Sequence, residues 1–298
     1  MLEAARKYGK FAAVFVISLT VVMTGCSKKA KEAEKTGEEG MTGSITIKGS
    51  DTMVHLVSTW AEEYMKSNDG IEISVTGGGS GTGIAAMING TTDICAASRE
   101  MKQSEIDQAL EKGIEPKEFA VARDGIAVVV NPGNPVGELS MEQLKKIYTG
   151  AYTKWSEVGG PDENILVLSR ESSSGTYVFF QEHVLEKEDY TQSARLMPAT
   201  SSIIQSVTSD KWAIGYVGLG YAIEAGNKVK MVGVKTGAGA PAVSPSEETV
   251  TDGSYPVARP LHLYTVGEPK GVLKDFVDFT MSEKGQEIVV ETGYVAVK

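Results

Sequence analysis

Cysteine is nearly absent from this 298-residue chain: Cys26 and Cys95 are the only two, too few for a disulfide framework. Histidine is almost as scarce. His55, His183 and His262 show no ligand spacing to one another or to carboxylates, which argues against a metal site. Positive charge is in deficit, with 29 Lys and Arg against 39 Asp and Glu and a formal net charge of −10. A nucleic-acid partner is therefore disfavoured. The long-range field does not help to collect anions either, so a bound anion would have to be held by local geometry. Long apolar runs are missing except at 11–23, which is too short for a comfortable membrane span. Preceded by Arg6, Lys7 and Lys10, that run fits the h-region of a secretory signal.

The run ends Val22-Met23-Thr24-Gly25-Cys26, small residues before a cysteine. This resembles a bacterial lipobox, in which Cys26 would be acylated and become the first mature residue; Met23 stands where leucine is usual. Residues 26–42 are polar, charged and without aromatics, as a flexible tether should be. Residues 1–25 are thus expected to be a signal peptide. The remaining 273 residues are enough for two lobes with a core each. The removed segment carries Arg6, Lys7 and Lys10 against Glu3, leaving the mature chain near −12. Cys95, alone in Asp93-Ile94-Cys95-Ala96-Ala97, reads as a buried, inert thiol.

What is present in abundance is a motif. Three times a short apolar run breaks into a Gly/Ser/Thr cluster that opens a helix: Ile45–Lys48 into Gly49-Ser50-Asp51-Thr52, Ile71–Val75 into residues 76–83, and Ile165–Leu168 into residues 169–176. Each places free backbone N–H groups, a hydroxyl and the positive end of a helix dipole at one point, which makes an anion cradle. Arg99 and Arg170 accompany the second and third. Three cradles in one chain imply convergence on one oxyanion.

Along the body, strands and helices alternate, predicting α/β layers. Helices are expected after Thr52 with Asp51 or Thr52 as cap, after the Gly-rich loop, and near Ser104–Lys112. Further helices are expected at Met141–Tyr148, at Tyr177–Leu185, at Ile203–Ser209 capped by Ser201 and Ser202, at Gly271–Met281 and at Ser282–Glu291. Extended segments are expected at Asp93–Ala97, Phe119–Ala122, Ile126–Asn131, Ala213–Val217 and Leu261–Val266, with 236–256 as a long surface loop. The expected partition is 43–125 with 257–298 as one lobe and 126–256 as the other, closing on a ligand by hinge motion.

The ordered set Gly49-Ser50-Asp51-Thr52, Gly77–Gly83, Ala97-Ser98-Arg99-Glu100, Arg170–Thr176 and Ala213–Gly218 resembles, over 43–298, the phosphate-binding lipoproteins of bacterial phosphate-specific ABC transporters, in their shorter form. The resemblance implies a two-lobed periplasmic-binding-protein fold (type II, Venus-flytrap) with inorganic phosphate in the interlobe cleft. It also implies a partnership with ABC permease subunits and no cofactor, in an extracytoplasmic, lipid-anchored protein that is monomeric. Carried over by position, Ser50 with Asp51 and Thr52, then Ser80, Arg170, Ser174, Gly175 and Thr176 would hold the anion. Many longer members have a carboxylate where this chain has Arg99, and an uncharged residue where it has Asp51. The two read as an exchange of roles, Asp51 accepting the phosphate proton and Arg99 adding donors.

Plainer readings stand beside these. Asp51 could be only a cap, Ser80 only a turn hydroxyl, and Arg99 a surface ion pair with Glu100 or Glu105; Arg170 could pair with Glu171. Asp124, before Gly125 at the lobe crossing, reads as a turn or hinge residue as readily as a ligand neighbour. Trp155 and Trp212 read as packing. An enzyme is disfavoured: the glycine spacing of 79–83 is not a dinucleotide fingerprint, no Gly-Lys-Ser/Thr ending is present, and Ser174 has no nucleophile elbow. The remaining rivals are a receptor for sulfate, molybdate or tungstate, and a phosphate-sensing or adhesive lipoprotein that delivers nothing.

Overall fold

The computed structural model describes residues 42–237 and 239–297; the expected signal peptide, Cys26 and most of the expected tether lie outside them. The chain begins with β1 (Gly43–Gly49), whose alternation buries Ile45 and Ile47. A single 3-10 turn over Asp51–Met53 leads into α1 (Val54–Ser67), which buries Leu56, Val57, Trp60, Ala61 and Tyr64 on one face. β2 (Ile71–Thr76), α2 (Ser80–Ile88), β3 (Ile94–Ala97) and α3 (Gln103–Glu111) follow. β4 (Pro116–Val130) runs fifteen residues without a break.

Beyond it come β5 (Glu138–Ser140) and α4 (Met141–Thr149), the helix opened by a Ser140–Gln143 capping box and stopped by left-handed Gly150. Next are β6 (Leu166–Arg170), α5 (Gly175–His183), β7 (Arg195–Met197), α6 (Thr200–Ser209), β8 (Ala213–Gly218) and α7 (Leu219–Ala225). Two short strands, β9 (Lys230–Met231) and β10 (Gly233–Lys235), precede α8 (Glu247–Thr251). The chain ends with β11 (Ala258–Val266), α9 (Val272–Thr280) and α10 (Glu283–Glu291).

Eight strands line up in the order β2-β1-β3-β11-β4-β8-β6-β7, with β9 also on β4. The β2-β1-β3 and β8-β6-β7 pairings are parallel, as βα crossovers require, whereas β11 and β4 are antiparallel to their neighbours. β4 joins the halves: Pro116–Gly125 pairs with β11, and Ile126–Val130 pairs with β8. The run Ile126-Ala127-Val128-Val129-Val130 is buried on both faces and packs into two different clusters. One group of clusters draws on 45–122 and 261–294, the other on 126–258 with Val295. The C-terminal helices thus pack back onto the first strands, and the fold is the two-lobed α/β type anticipated.

The local expectations differ from the structure in instructive ways. Asp124-Gly125 does not interrupt the strand, because Arg259 and Ala258 pair opposite and carry the ladder through. The expected surface loop 236–256 contains α8, opened by reciprocal Ser246–Thr249 bonds, and it buries Val250 and Tyr255. Neither Asp51 nor Thr52 caps a helix through its side chain; Met53 precedes α1, and the Asp51 carboxylate is engaged elsewhere. Ser201 and Ser202 do not cap α6 either; they lie inside its first turn, after Ala199.

The Tyr255 hydroxyl donates to the Ile126 carbonyl at 2.7 Å in the interior, tying the 236–256 segment to the point where β4 changes partner. Tyr255→Phe strands that acceptor and is expected to lower stability by about 1–2 kcal/mol in urea denaturation. A change within error would show that the segment is not anchored there.

Candidate functional site

The three Gly/Ser/Thr clusters do meet. Gly49 has a φ of +149°, and a side chain there would sit 1.9 Å from the Ala96 carbonyl, so only glycine lets β1 turn this tightly beside β3. The turn delivers Ser50, whose N–H donates to the Ala96 carbonyl at 2.8 Å and whose hydroxyl donates to Ser98 Oγ at 2.8 Å. Ser80, the first residue of α2, accepts from the Ser98 N–H at 3.0 Å and lies 3.3 Å from the Ser98 hydroxyl. α5 points its N-terminus at the same spot: a Cβ on Gly175 would lie 2.3 Å from Ser80 Oγ and 2.7 Å from Ser98 Oγ. The Gly81 N–H donates to the Ser173 carbonyl at 2.9 Å and links the loop before α5 to α2. Ser174 is the N-cap of α5, accepting weakly from the Tyr177 N–H at 3.4 Å.

The first N–H groups of α2 and α5 have no intrahelical acceptor, and both helix dipoles are positive at this end. Ser50, Ser80, Ser98, Ser174 and Thr176 are all buried. Hydroxyls can donate or accept as a ligand requires, whereas the backbone N–H groups only donate.

The charged groups lie around this hydroxyl cluster. Asp51 Oδ1 accepts from the Gly78 N–H at 3.1 Å, and Oδ2 pairs with Arg170 Nη2 at 2.6 Å. Arg170 is otherwise held by the Met197 carbonyl, the Pro198 carbonyl and Thr200 Oγ1, and its own N–H donates to the Tyr216 hydroxyl at 3.3 Å. Its partner is therefore Asp51, not Glu171. The Asp51 carbonyl accepts from the Tyr221 hydroxyl, which burial and the Asp51 charge push up to about 12, so it stays a donor. Arg99 is buried but turns its guanidinium to Glu105 in a bidentate pair at 2.7 and 2.8 Å. It is not a surface pair, and its Nη2 lies 3.8 Å from where a Gly81 Cβ would be.

Several participants were not singled out from the sequence as site residues. Ser98 is the hub of the hydroxyl cluster. Asp124 and Arg259 form a fully buried pair, with Asp124 Oδ2 accepting at 2.9 and 3.3 Å and Oδ1 accepting from the Leu219 N–H at 3.0 Å. Burial pushes the Asp124 carboxyl up, against the pull of Arg259 and the Leu219 N–H. Arg259 Nη2 also donates to Thr176 Oγ1 at 2.9 Å, and Thr176 Oγ1 lies 2.8 Å from Thr52 Oγ1. Only the Ala-Ser-Arg sequence signalled Ser98. Nothing local connects residues 124 and 259. Cys95 is buried and free, and burial pushes its thiol up, consistent with an inert side chain. Trp155 is core, and Trp212 packs against it.

Residues 34–284 match the family model of the PBP superfamily domain. The chain is 38% identical over 260 residues to the phosphate-binding protein PstS of Staphylococcus haemolyticus, covering 85% of this chain and 81% of that protein. The chain belongs to the PstS family. A substrate-binding protein of Clostridium perfringens solved with bound phosphate superposes on this PstS-family chain with a TM-score of 0.77 at 34% identity. It covers 86% of this chain and 100% of its own. An ABC-type phosphate transport receptor from Vibrio cholerae gives a TM-score of 0.67 at 30% identity, with coverages of 84% and 99%.

Burial pushes the Glu105 carboxyl up, but bonds from Arg99 and the Lys102 N–H outweigh it and hold the group below the usual glutamate range. A depressed folded value stabilises the fold above the unfolded value, about 4.3, and the contribution fades as pH falls toward the folded one. The stability gap between wild type and Glu105→Gln should therefore be full near neutrality and shrink below about pH 4. A pH-independent gap in urea denaturation would rule out an ionic role for Glu105.

Proposed function

We propose that the cradle binds inorganic phosphate, held as monohydrogen phosphate, and that the protein hands it to an ABC importer. The observation that carries this reading is the placement of an acceptor-only carboxylate, Asp51, beside the converging hydroxyls and helix N-termini of a PstS-family chain. Ser50, Thr52, Ser80, Ser174, Gly175 and Thr176 would donate to the phosphate oxygens, and Arg170 would supply charge. Asp51, with lone pairs beyond those taken by Gly78 and Arg170, would accept the P–O–H proton. Arg99 would add donors after loosening from Glu105; its Nε faces no acceptor among the described residues.

Sulfate at neutral pH has no proton to give, so it would leave Asp51 facing an anion with an unmatched acceptor. An unpaired buried polar group costs about 1–3 kcal/mol, more when charged. A micromolar site needs about −8 kcal/mol, within reach of a few charge-assisted bonds of about 1.5–3 kcal/mol each. Selectivity would arise from penalising the wrong ligand.

The same proposal includes the lobes 43–125 with 257–298 and 126–256, closing on the ligand. It further includes a lipid anchor on Cys26 that would keep a monomeric receptor outside the cytoplasm, and a role without catalysis. Among the described residues, no helix is long and apolar enough to cross a membrane.

Calorimetric titration of ligand-stripped protein should show tight phosphate binding and no sulfate heat; sulfate binding of similar strength would overturn the reading. Arg170→Ala should weaken phosphate by about a hundredfold or more, given the bonds it would lose. Asp51→Asn should narrow the phosphate-to-sulfate ratio by about tenfold or more, since an amide can donate to sulfate. An unchanged ratio would remove Asp51 from proton recognition.

A further inference from the structure

Hydrogen bonds join residues 50–81 on one side of the cradle to residues 170–221 on the other. Two of them, the Asp51–Arg170 pair and the bond between the Thr52 and Thr176 hydroxyls, use side chains already assigned to the anion. Two do not. The Gly81 N–H donates to the Ser173 carbonyl at 2.9 Å. The Tyr221 hydroxyl, from the first turn of α7, donates to the Asp51 carbonyl, also at 2.9 Å. Its two partners are 170 positions apart, and under the partition proposed above they belong to different lobes.

The carbonyl that receives the phenol matters. It also accepts the Val54 N–H, which closes the 3-10 turn, and it belongs to the same peptide group as the Thr52 N–H. That N–H opens the turn, has no acceptor inside it, and is a donor the proposed anion would meet. A donor on the carbonyl end of a peptide polarises its N–H end, so Tyr221 sharpens a donor of the cradle from outside it. The phenol is pushed up to about 12, by burial first and then by the Asp51 charge, and therefore donates at every working pH. The Tyr221 ring packs onto the cluster that holds Val217 and Ala222, within its own proposed lobe. A second tyrosine supplies a comparison. The Tyr294 hydroxyl donates to the Thr52 carbonyl, one peptide further on, but Tyr294 belongs to the same proposed lobe as Thr52. One turn is thus held by one tyrosine within its lobe and by another across the cleft.

We infer that Tyr221 is a positioning residue for the phosphate cradle: its hydroxyl latches the second lobe to the peptide group that carries the Thr52 N–H, and holds the closed arrangement without touching the ligand. The inference rests on the two-lobed phosphate reading proposed above and gives it a division of labour. Asp51 and Arg170 respond to which anion is present. The Tyr221 bond is indifferent to that and acts on how long the cleft stays shut. Loss of the hydroxyl should raise the rate of release and leave the rate of capture alone, because the bond forms only on closure.

The test compares the full chain with Tyr221→Phe, which removes the hydroxyl and keeps the half-buried ring, and with Tyr294→Phe. Hydrogen exchange at the Gly81 amide reports closure, since that N–H lies in the first turn of α2 and its acceptor, Ser173, lies across the cleft. In ligand-stripped protein, Tyr221→Phe should speed Gly81 exchange by about fivefold, the worth of one hydrogen bond, and Tyr294→Phe should leave it as in wild type. When bound labelled phosphate is chased with unlabelled phosphate, Tyr221→Phe should release it about fivefold faster, with the association rate and the phosphate-to-sulfate ratio unchanged. Unchanged Gly81 exchange in Tyr221→Phe would overturn the proposal, as would equal acceleration by Tyr294→Phe or an unchanged release rate. The exchange measurement needs no phosphate, so a wild type that binds none would sink the cradle reading and leave the latch to be decided by Gly81 alone.

Discussion

The Asp124–Arg259 pair is the constraint on which the arrangement depends. Both side chains are shut away from water, so each charge has lost its hydration and must be matched inside the protein. The matching is distributed over four elements. Asp124 belongs to the central strand β4, Arg259 to β11, the Leu219 N–H opens α7, and Thr176 lies in the first turn of α5. A buried pair of this kind is weak evidence of net stabilisation, but removing either partner leaves an uncompensated charge, at about 3–5 kcal/mol. It acts mainly as a register pin. Arg259 stands directly opposite Asp124 in the β4–β11 ladder, and its bond to Thr176 ties that register to the first turn of α5.

With α5 so placed, the remaining contacts follow. Gly175 comes up against Ser80 and Ser98 with no room for a Cβ, and Ser173 receives the Gly81 N–H. Arg170, at the end of β6, is brought within 2.6 Å of Asp51 from the far side. The Arg170 guanidinium is clamped by Thr200 and two carbonyls, so it meets the site in one orientation with little rotamer freedom left to lose on binding. A rigid guanidinium and rotatable hydroxyls are complementary parts: in the proposed site the first would fix where negative charge sits, and the second would adjust to which oxygens carry protons.

The cradles were legible in the sequence because their logic is local. A strand, a Gly/Ser/Thr turn and a helix start are written in consecutive residues, and three repeats announce a shared purpose. The β-branched run 126–130 likewise declared a buried strand. Asp124 and Arg259 were not legible, because 135 positions separate them and Asp-Gly resembles a turn in isolation. Arg99 was expected in the cradle, with a surface pair to Glu100 or Glu105 as the plainer reading; that its Glu105 pair is buried was not legible, since the burial follows from β3 lying between β1 and β11, a fact of topology. The 236–256 segment was misread from composition. Gly, Pro, Ser and Thr dominate it, yet two apolar side chains, Val250 and Tyr255, are enough to dock it onto the core.

The inventory of protons ties these observations together. Backbone N–H groups at the starts of α2 and α5 can only donate, and Asp51 can only accept, while Ser50, Ser80 and Ser98 can do either. A fully deprotonated tetrahedral anion satisfies the first set and offends the second. An anion that keeps one proton satisfies both, and the hydroxyls settle whatever remains. On the proposed reading, affinity and selectivity would rest on different atoms: the helix ends and Arg170 would provide the attraction, and the Asp51 carboxylate, held by the Gly78 N–H and Arg170, would decide which oxyanion can use it.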